Sequence, residues 1–175
     1  MFQMHQKELL LGGKIDCQKY FMSIVTRKAE MEDISWMVDL SYQKRLEYSK
    51  HQTIFWRMAE NSNEIQQEWF EEELKNPKVI ALCCNDKSGF IVGKLIMPPE
   101  VYSAGLTLMI DDFCVKNRDL WSTIGKILID DCGKIAKEIG AKQFLVVSGD
   151  HDKEKNQLLE SIDLTIASRW YTKKL

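Results

Sequence analysis

Between Gly105 and Ile139 the apolar residues change their spacing from every second position to every third or fourth, with no Gly/Pro linker between the two patterns. "GLTLMIDDFCV" reads as a strand; from Ser122, Ile124, Leu128, Cys132, Ile135 and Ile139 form one helical stripe, and Gly140 is placed to cap its end. A strand feeding a long amphipathic helix must bury that helix on a sheet, so a βα unit is fixed in the middle of the chain. One irregularity stands inside it. Asp111 and Asp112 interrupt a segment that is otherwise apolar.

The flanking segments extend this unit in both directions. Ser23 to Arg27 is a short β-type run, and Glu32 and Asp33 then place negative charge where a first helical turn favours it. Ile34, Met37, Val38, Tyr42 and Leu46 predict a helix face ending near Lys50. A second helix is expected from about Glu64, with Ile65, Trp69, Phe70 and Leu74 inward and Pro77 at its end. "VIALCCN" and "GFIVGKLIM", joined by "DKSG", form an antiparallel hairpin that Pro98 and Pro99 stop. "KQFLVVSG" reads as a strand covered on both faces, Lys153 to Ile162 as a last helix, and "TIASRWYTKKL" as a closing strand. The order is β-α-α-β-β-β-α-β-α-β, a mixed α/β class with a central sheet flanked by helices.

Composition narrows the partners. A chain of 175 residues, 45% hydrophobic and 29% charged, suits one globular domain. Its 24 Lys and Arg against 26 Asp and Glu leave a formal charge of -2, so no field favours a nucleic acid. No apolar run approaches the ~18 residues of a membrane span, and the start lacks the pattern of a signal peptide. The five cysteines, Cys17, Cys83, Cys84, Cys114 and Cys132, contain no C-x-x-C pair; they are read as reduced thiols in a cytoplasmic protein, with no metal expected. "MSIVTRKAEMEDISWM" from Met22 reads like a domain start, which makes residues 1–22 an extension and residues 23–175 the domain.

The join "DDFCVKNRDLWSTIGKIL" is where chemistry is expected. A strand that turns into a helix puts unpaired backbone N–H groups and the positive end of the helix dipole at one point, which suits a phosphate. Neither G-x-x-x-x-G-K-[ST] nor G-x-G-x-x-G is present, which argues against triphosphate hydrolysis and dinucleotide binding. The segment resembles the coenzyme A signature of the GNAT acetyltransferases, in which a strand ending in Val precedes a turn of the type R/Q-x-x-G-x-G/A and then a helix. Val115 is followed ten positions later by Gly125, the spacing of that family, although Leu120 stands where Arg or Gln is preferred and Thr123 where the first Gly is. From about Ser23 onward the element order matches too, and the "IDDF" strand and "ASRWY" ending resemble a bacterial subgroup.

The resemblance implies an N-acetyltransferase that moves an acetyl group from acetyl-coenzyme A to a small-molecule or peptide amine by direct transfer. The alternative is a coenzyme A-binding sensor or interaction module without catalysis. The pantetheine arm would pair with the strand edge at Phe113, Cys114 and Val115, and the diphosphate would lie over the amides of Trp121, Ser122, Thr123, Ile124, Gly125 and Lys126. Glu47, Tyr48 and His51, at the end of the first long helix, fall where such enzymes build the acceptor pocket. A homodimer is compatible with the resemblance; metal, nucleic acid and membrane are not expected.

An amine with a pKa of about 10.4 is protonated at pH 7, and exposing its lone pair costs about 4.6 kcal/mol, so a base is valuable. Asp111 and Asp112 are the candidates, although a role in holding neighbouring loops explains them as well. Strand alternation sends the two to opposite faces. The departing thiol asks for less, about 2 kcal/mol if its pKa resembles a cysteine's. The family's Tyr on the last helix is replaced here by Leu159, leaving Tyr171, Tyr102 or water as proton donors. His151 follows "SGD" at the end of an apolar strand, where site loops gather in open sheets; a lone exposed histidine is the plainer reading. Trp36, Trp56, Trp69 and Trp170 are read as core or pocket walls.

Overall fold

Strands β2 (Val79–Cys84) and β3 (Gly89–Ile96) carry apolar side chains on both faces, so the sheet they begin needs a helical layer on each side. The computed structural model, which describes residues 25–175, supplies both. Residues 1–22, with Cys17, lie outside the described residues, as do the first residues of the strand expected from Ser23. The sheet runs β1 (Thr26–Lys28), β2, β3, β4 (Thr107–Val115), β5 (Gln143–Val146), antiparallel except for the parallel β4–β5 pair. The crossover between β4 and β5 is helical almost throughout: a 3-10 turn (Arg118–Leu120), a π-helical turn (Trp121–Gly125) and α3 (Lys126–Glu138).

One layer is α1 (Ile34–His51) and α2 (Ser62–Glu73), whose Met37, Val38 and Phe70 pack on Ala81, Cys83, Phe90, Val92 and Cys114. The other is α3 and α4 (Lys153–Ser161), where Ile124, Leu128, Cys132 and Leu158 meet Leu82, Cys84, Ile91, Leu108 and Phe113. The adjacent Cys83 and Cys84 thus enter different cores, as strand alternation requires, and with Cys114 and Cys132 they are free and buried. β1 is tied to the start of α1 by Asp33, which accepts both guanidinium nitrogens of Arg27 (2.6 and 2.8 Å), the Glu30 amide and the Trp36 indole N–H. The Arg27 guanidinium holds that carboxyl well below the usual carboxylate range.

Several expectations are corrected. α2 starts at Ser62 and ends at Glu73, ahead of Pro77, and Ile65 on it faces solvent. On α1 the inward stripe continues from Val38 through Ser41 to Tyr48, leaving Tyr42 and Leu46 only half-buried. Helical structure after β4 begins at Arg118 rather than Ser122, and Ile139 is exposed. Gly140 does end α3: with φ at 99° it donates to the Lys137 carbonyl while Ala141 donates to that of Ala136, a Schellman closure. β5 is covered on one face only, by contacts of Phe144 and Val146, so Leu145 stays 40% exposed, because the α1–α2 layer does not reach that far. The closing strand does not form: residues 165–175 are non-regular and exposed, with no ladder partner beside β5.

The decisive irregularity lies in β4. Pairing with β3 runs Val92 to Asp112 and then Gly93 to Ile110, which leaves Asp111 as the extra residue of a bulge. The bulge changes the phase of the strand. Leu108 and Ile110 face the α3–α4 core, but beyond Asp111 that face is taken by Phe113, while Asp112 and Cys114 turn toward α1. At the same point β4 loses its other neighbour, because pairing with β5 ends at Ile110–Val146. From Asp111 to Val115 the strand has an open edge.

Opposite the bulge, a methyl group on Gly93 would stand 2.8 Å from Cδ1 of Ile110 and 3.1 Å from the Met109 carbonyl oxygen. Gly93→Ala is therefore expected to destabilise the fold by about 1–3 kcal/mol through overpacking, read as a lower urea midpoint at unchanged slope.

Candidate functional site

The open edge of β4 forms the floor of a cleft. Cys114 and Val115 line the floor, Lys44, Glu47 and Tyr48 of α1 form one wall, and Arg118, Trp121 and Asp152 form the other. The polar groups of α1 reach it because the helix presents positions 41, 44 and 48 on one side, a helical stripe filled with polar groups instead of aliphatic ones.

These groups are linked. Asp112, buried, accepts from the Ser41 hydroxyl (2.6 Å) and the Cys114 thiol (3.3 Å) and pairs with the Lys44 ammonium (3.6 Å). Lys44 also donates to the Phe113 carbonyl at 2.9 Å, a backbone group of the open edge. Burial opposes the charge on Lys44, yet Cys114, Asp112 and further neighbours hold its pKa above the ordinary value. Burial drives the Cys114 thiol far up, so it is neutral at pH 7 and the Asp112 carboxylate supplies the attraction. Farther along the cleft, Tyr48 donates to Asp152 (3.1 Å) and accepts the Gly149 N–H (3.2 Å). Burial raises the phenol's pKa and keeps it protonated.

Where β4 and β5 part, the gap is filled from α4. The Lys155 side chain, 1% exposed, donates to the Val147 carbonyl at 2.9 Å. Its ammonium lies 5.5 Å from the Phe113 ring centre and 5.6 Å from that of Trp121. Desolvation, with the nearby Lys44 charge, lowers its pKa to about 7.

No family model and no curated protein matches the chain. Solved structures do. A mutant of the BH1408 protein from Bacillus halodurans superposes with a TM-score of 0.74 at 16% identity, over 86% of this chain and 99% of that one. A predicted acetyltransferase from Clostridium acetobutylicum, solved with acetyl-CoA, gives 0.66 at 15% identity over 86% and 96% of the two chains. The aminoglycoside 6'-N-acetyltransferase AAC(6')-Ih from Acinetobacter baumannii gives 0.63 at 9% identity over 87% and 99%. This chain has the GNAT acetyltransferase fold.

Within that GNAT fold the residues singled out in the sequence fall into three groups. Glu47, Tyr48, Cys114, Val115 and Trp121 line the cleft, and the Phe113 carbonyl is engaged there by Lys44. Others are occupied elsewhere. Asp111 stands exposed on the bulge, its carboxyl pushed up by partial desolvation and by Glu73, while Asp112 is committed to Ser41, Cys114 and Lys44. Ile124 is core, Lys126 pairs with Asp130 at 2.6 Å, and the Thr123 hydroxyl donates to the Leu120 carbonyl. Gly125 is required by packing: a Cβ there would lie 2.7 Å from the Trp121 ring and 2.9 Å from Leu158. Tyr171 is not brought to the cleft; it is 88% exposed because the strand meant to carry it does not form. Tyr102 is exposed likewise, and Leu159 is buried in the α3–α4 core.

Two amides of the expected cradle are spent within the chain. The Trp121 N–H is spent on the Arg118 carbonyl and that of Lys126 on the carbonyls of Trp121 and Thr123, because the turn is itself helical. The N-terminus of the helical run therefore lies at Asn117, next to Lys116 and Arg118, which line the cleft. Lys44, Asp152 and Lys155 escaped the sequence reading. Only the inward-facing positions of Lys44 and Lys155 on amphipathic helices, and the place of Asp152 just before α4, could have marked them, and polar residues there look like solvated faces until the sheet is placed.

Lys155 yields a test with a definite sign. Because its folded pKa is lowered to about 7 from 10.5, the unfolded chain holds a proton in that window that the fold releases, so stability rises with pH between those values. Lys155→Met should exceed the parent in stability most at pH 6 and lose that margin toward pH 10, measured by urea midpoints. A margin constant with pH would show that the buried ammonium carries no such cost.

Proposed function

We propose that the domain, residues 23–175, is an N-acetyltransferase that transfers the acetyl group of acetyl-coenzyme A directly to a small amine in the cytoplasm. The observation that carries this reading is the coincidence at Asp111: the bulge and the end of β4–β5 pairing open one strand edge within an acetyltransferase fold. The pantetheine arm is a chain of amides that an unpaired strand edge can bind as another strand would. The Phe113 carbonyl, now satisfied by Lys44, is the acceptor that an incoming amide N–H would take over. Lys116 and Arg118 beside the helical N-terminus at Asn117 suit a diphosphate.

Acetyl-coenzyme A brings the thioester and the leaving thiol. The chain's part is to place charge and move protons. Lys44 and Lys155 put ammonium groups along the β4 edge, where a departing thiolate gains stabilisation. Tyr48 and Asp152 form a proton path for the acceptor: the phenol oxygen takes a proton from the amine as its own passes to the carboxylate 3.1 Å away. This assigns the base role to a pair other than Asp111, which stands exposed on the bulge, and Asp112, which is committed to Ser41, Cys114 and Lys44.

A second reading, a coenzyme A-binding module without turnover, draws support from Leu159, buried in the core where a proton-donating Tyr would stand. Calorimetry with acetyl-coenzyme A followed by thiol release across an amine panel separates the two. Heat with thiol release supports the enzyme, heat alone the module, and the absence of both heat and thermal shift defeats either. Tyr48→Phe should lower the rate roughly 100-fold with cofactor affinity retained; an unchanged rate removes the phenol from the proton path.

A further inference from the structure

A cluster of donors stands at the outer end of α1, beside the cleft. Glu47 and His51, one helical turn apart, present side chains on one side of the helix, and His151 arrives from the loop between β5 and α4. One donor atom from each of the three lies within 4.8 Å of the other two. Among the described residues no other group of three His, Cys, Asp or Glu side chains meets that condition.

The His151 ring is held in place before any ligand arrives. It packs edge-on against Tyr48 at 4.6 Å and stacks on His51 at 4.0 Å with 15° between the planes. Beneath it lies Gly149, where a Cβ would come within 2.6 Å of the imidazole Cε1 and 2.9 Å of Nδ1. Only a glycine leaves room for the ring in this notch. Nε2 of His151 is buried and has no hydrogen-bond partner. A buried imidazole nitrogen without a partner is unusual, and a metal ion is one of the few things that satisfies it.

We propose that Glu47, His51 and His151 bind a divalent transition-metal ion, with Zn²⁺ the best match. Two imidazoles and one carboxylate are the donor set that favours zinc and its neighbours over Mg²⁺ or Ca²⁺, which prefer oxygen alone. Tetrahedral zinc at about 2.1 Å from each donor needs donors about 3.4 Å apart, so the cluster must contract by roughly 1 Å. The exposed His51 can supply this by turning its ring out of the stack. Glu47 must release Arg118, which it now pairs with and whose second contact is Glu154 at 3.8 Å. Three protein ligands leave a fourth position open toward the cleft that Glu47 lines. The site does not rest on the acetyl transfer reading, since none of the three residues belongs to the β4 edge.

The test titrates the metal-free full chain with Zn²⁺ against a chromophoric chelator and repeats it with Co²⁺ for its visible spectrum. The expected result is one ion per chain at micromolar or tighter affinity, with a Co²⁺ spectrum of nitrogen and oxygen ligation. His51→Gln, on an exposed side chain, and His151→Gln should each weaken binding by roughly tenfold or more, while Arg118→Ala, by freeing Glu47, should tighten it. Circular dichroism of each variant confirms folding. Failure of the parent to bind, affinity unchanged in both histidine variants, or a sulfur-to-cobalt band pointing to the cysteines would each overturn the proposal.

Discussion

A single extra residue in β4 organises this molecule. Without it, positions 108, 110, 112 and 114 would share a face, and the carboxylate of Asp112 would be driven into the aliphatic core under α3. The bulge at Asp111 moves Asp112 and Cys114 to the α1 side, where Ser41 and Lys44 satisfy them, and gives the α3 side Phe113 instead. The added twist that accompanies a bulge also carries β4 away from β5. Specific polar chemistry on one face and an open backbone edge thus arise from the same local event.

The buried charges follow from that geometry. Lys44, Asp112, Tyr48, Asp152 and Lys155 surround a gap in the sheet that apolar side chains could have closed. A half-satisfied polar network costs more than an aliphatic filling. Here Asp112 has three partners and Tyr48 two, whereas Lys155 has one carbonyl and two aromatic faces for an ammonium. That imbalance is why the Lys155 pKa falls while that of Lys44, beside Asp112, rises. Two lysines in one polar cluster are held in different electrostatic conditions.

How much of this was legible depended on where the local pattern and the fold agreed. The hairpin β2–β3, the strand before the turn and the stripe of α3 rest on periodicity and turn chemistry, and they fold as read. α1 misled beyond Val38, because an apolar residue at Tyr42 or Leu46 continues a stripe more convincingly than Ser41, Lys44 and Tyr48 do. The correct phase is visible only once β4 offers Asp112 as a partner. The turn after Val115 keeps the family's spacing, yet it winds into helix from Arg118, and Gly125 is explained by the Trp121 ring over it. Spacing survives where it fixes the helix's position, and a glycine in the pattern does not by itself mark a ligand.

β5 and the chain end follow the same logic in reverse. "KQFLVVSG" and "TIASRWYTKKL" both read as strands from apolar content, but a strand needs a ladder partner and a covered face. β5 finds its ladder in β4 for four residues and its cover in α3 and α4 alone, so Leu145 and Val147 remain in solvent contact. Residues 165–175 find neither, although Trp170 meets the Phe55 ring at 5.8 Å. The loop that leads from β5 into α4 reaches the site, bringing Gly149 and His151 under Tyr48 and Asp152 within reach of its hydroxyl. That loop and the end of α1, two segments far apart in sequence, therefore meet beside the cleft through a tyrosine and a stacked pair of histidines.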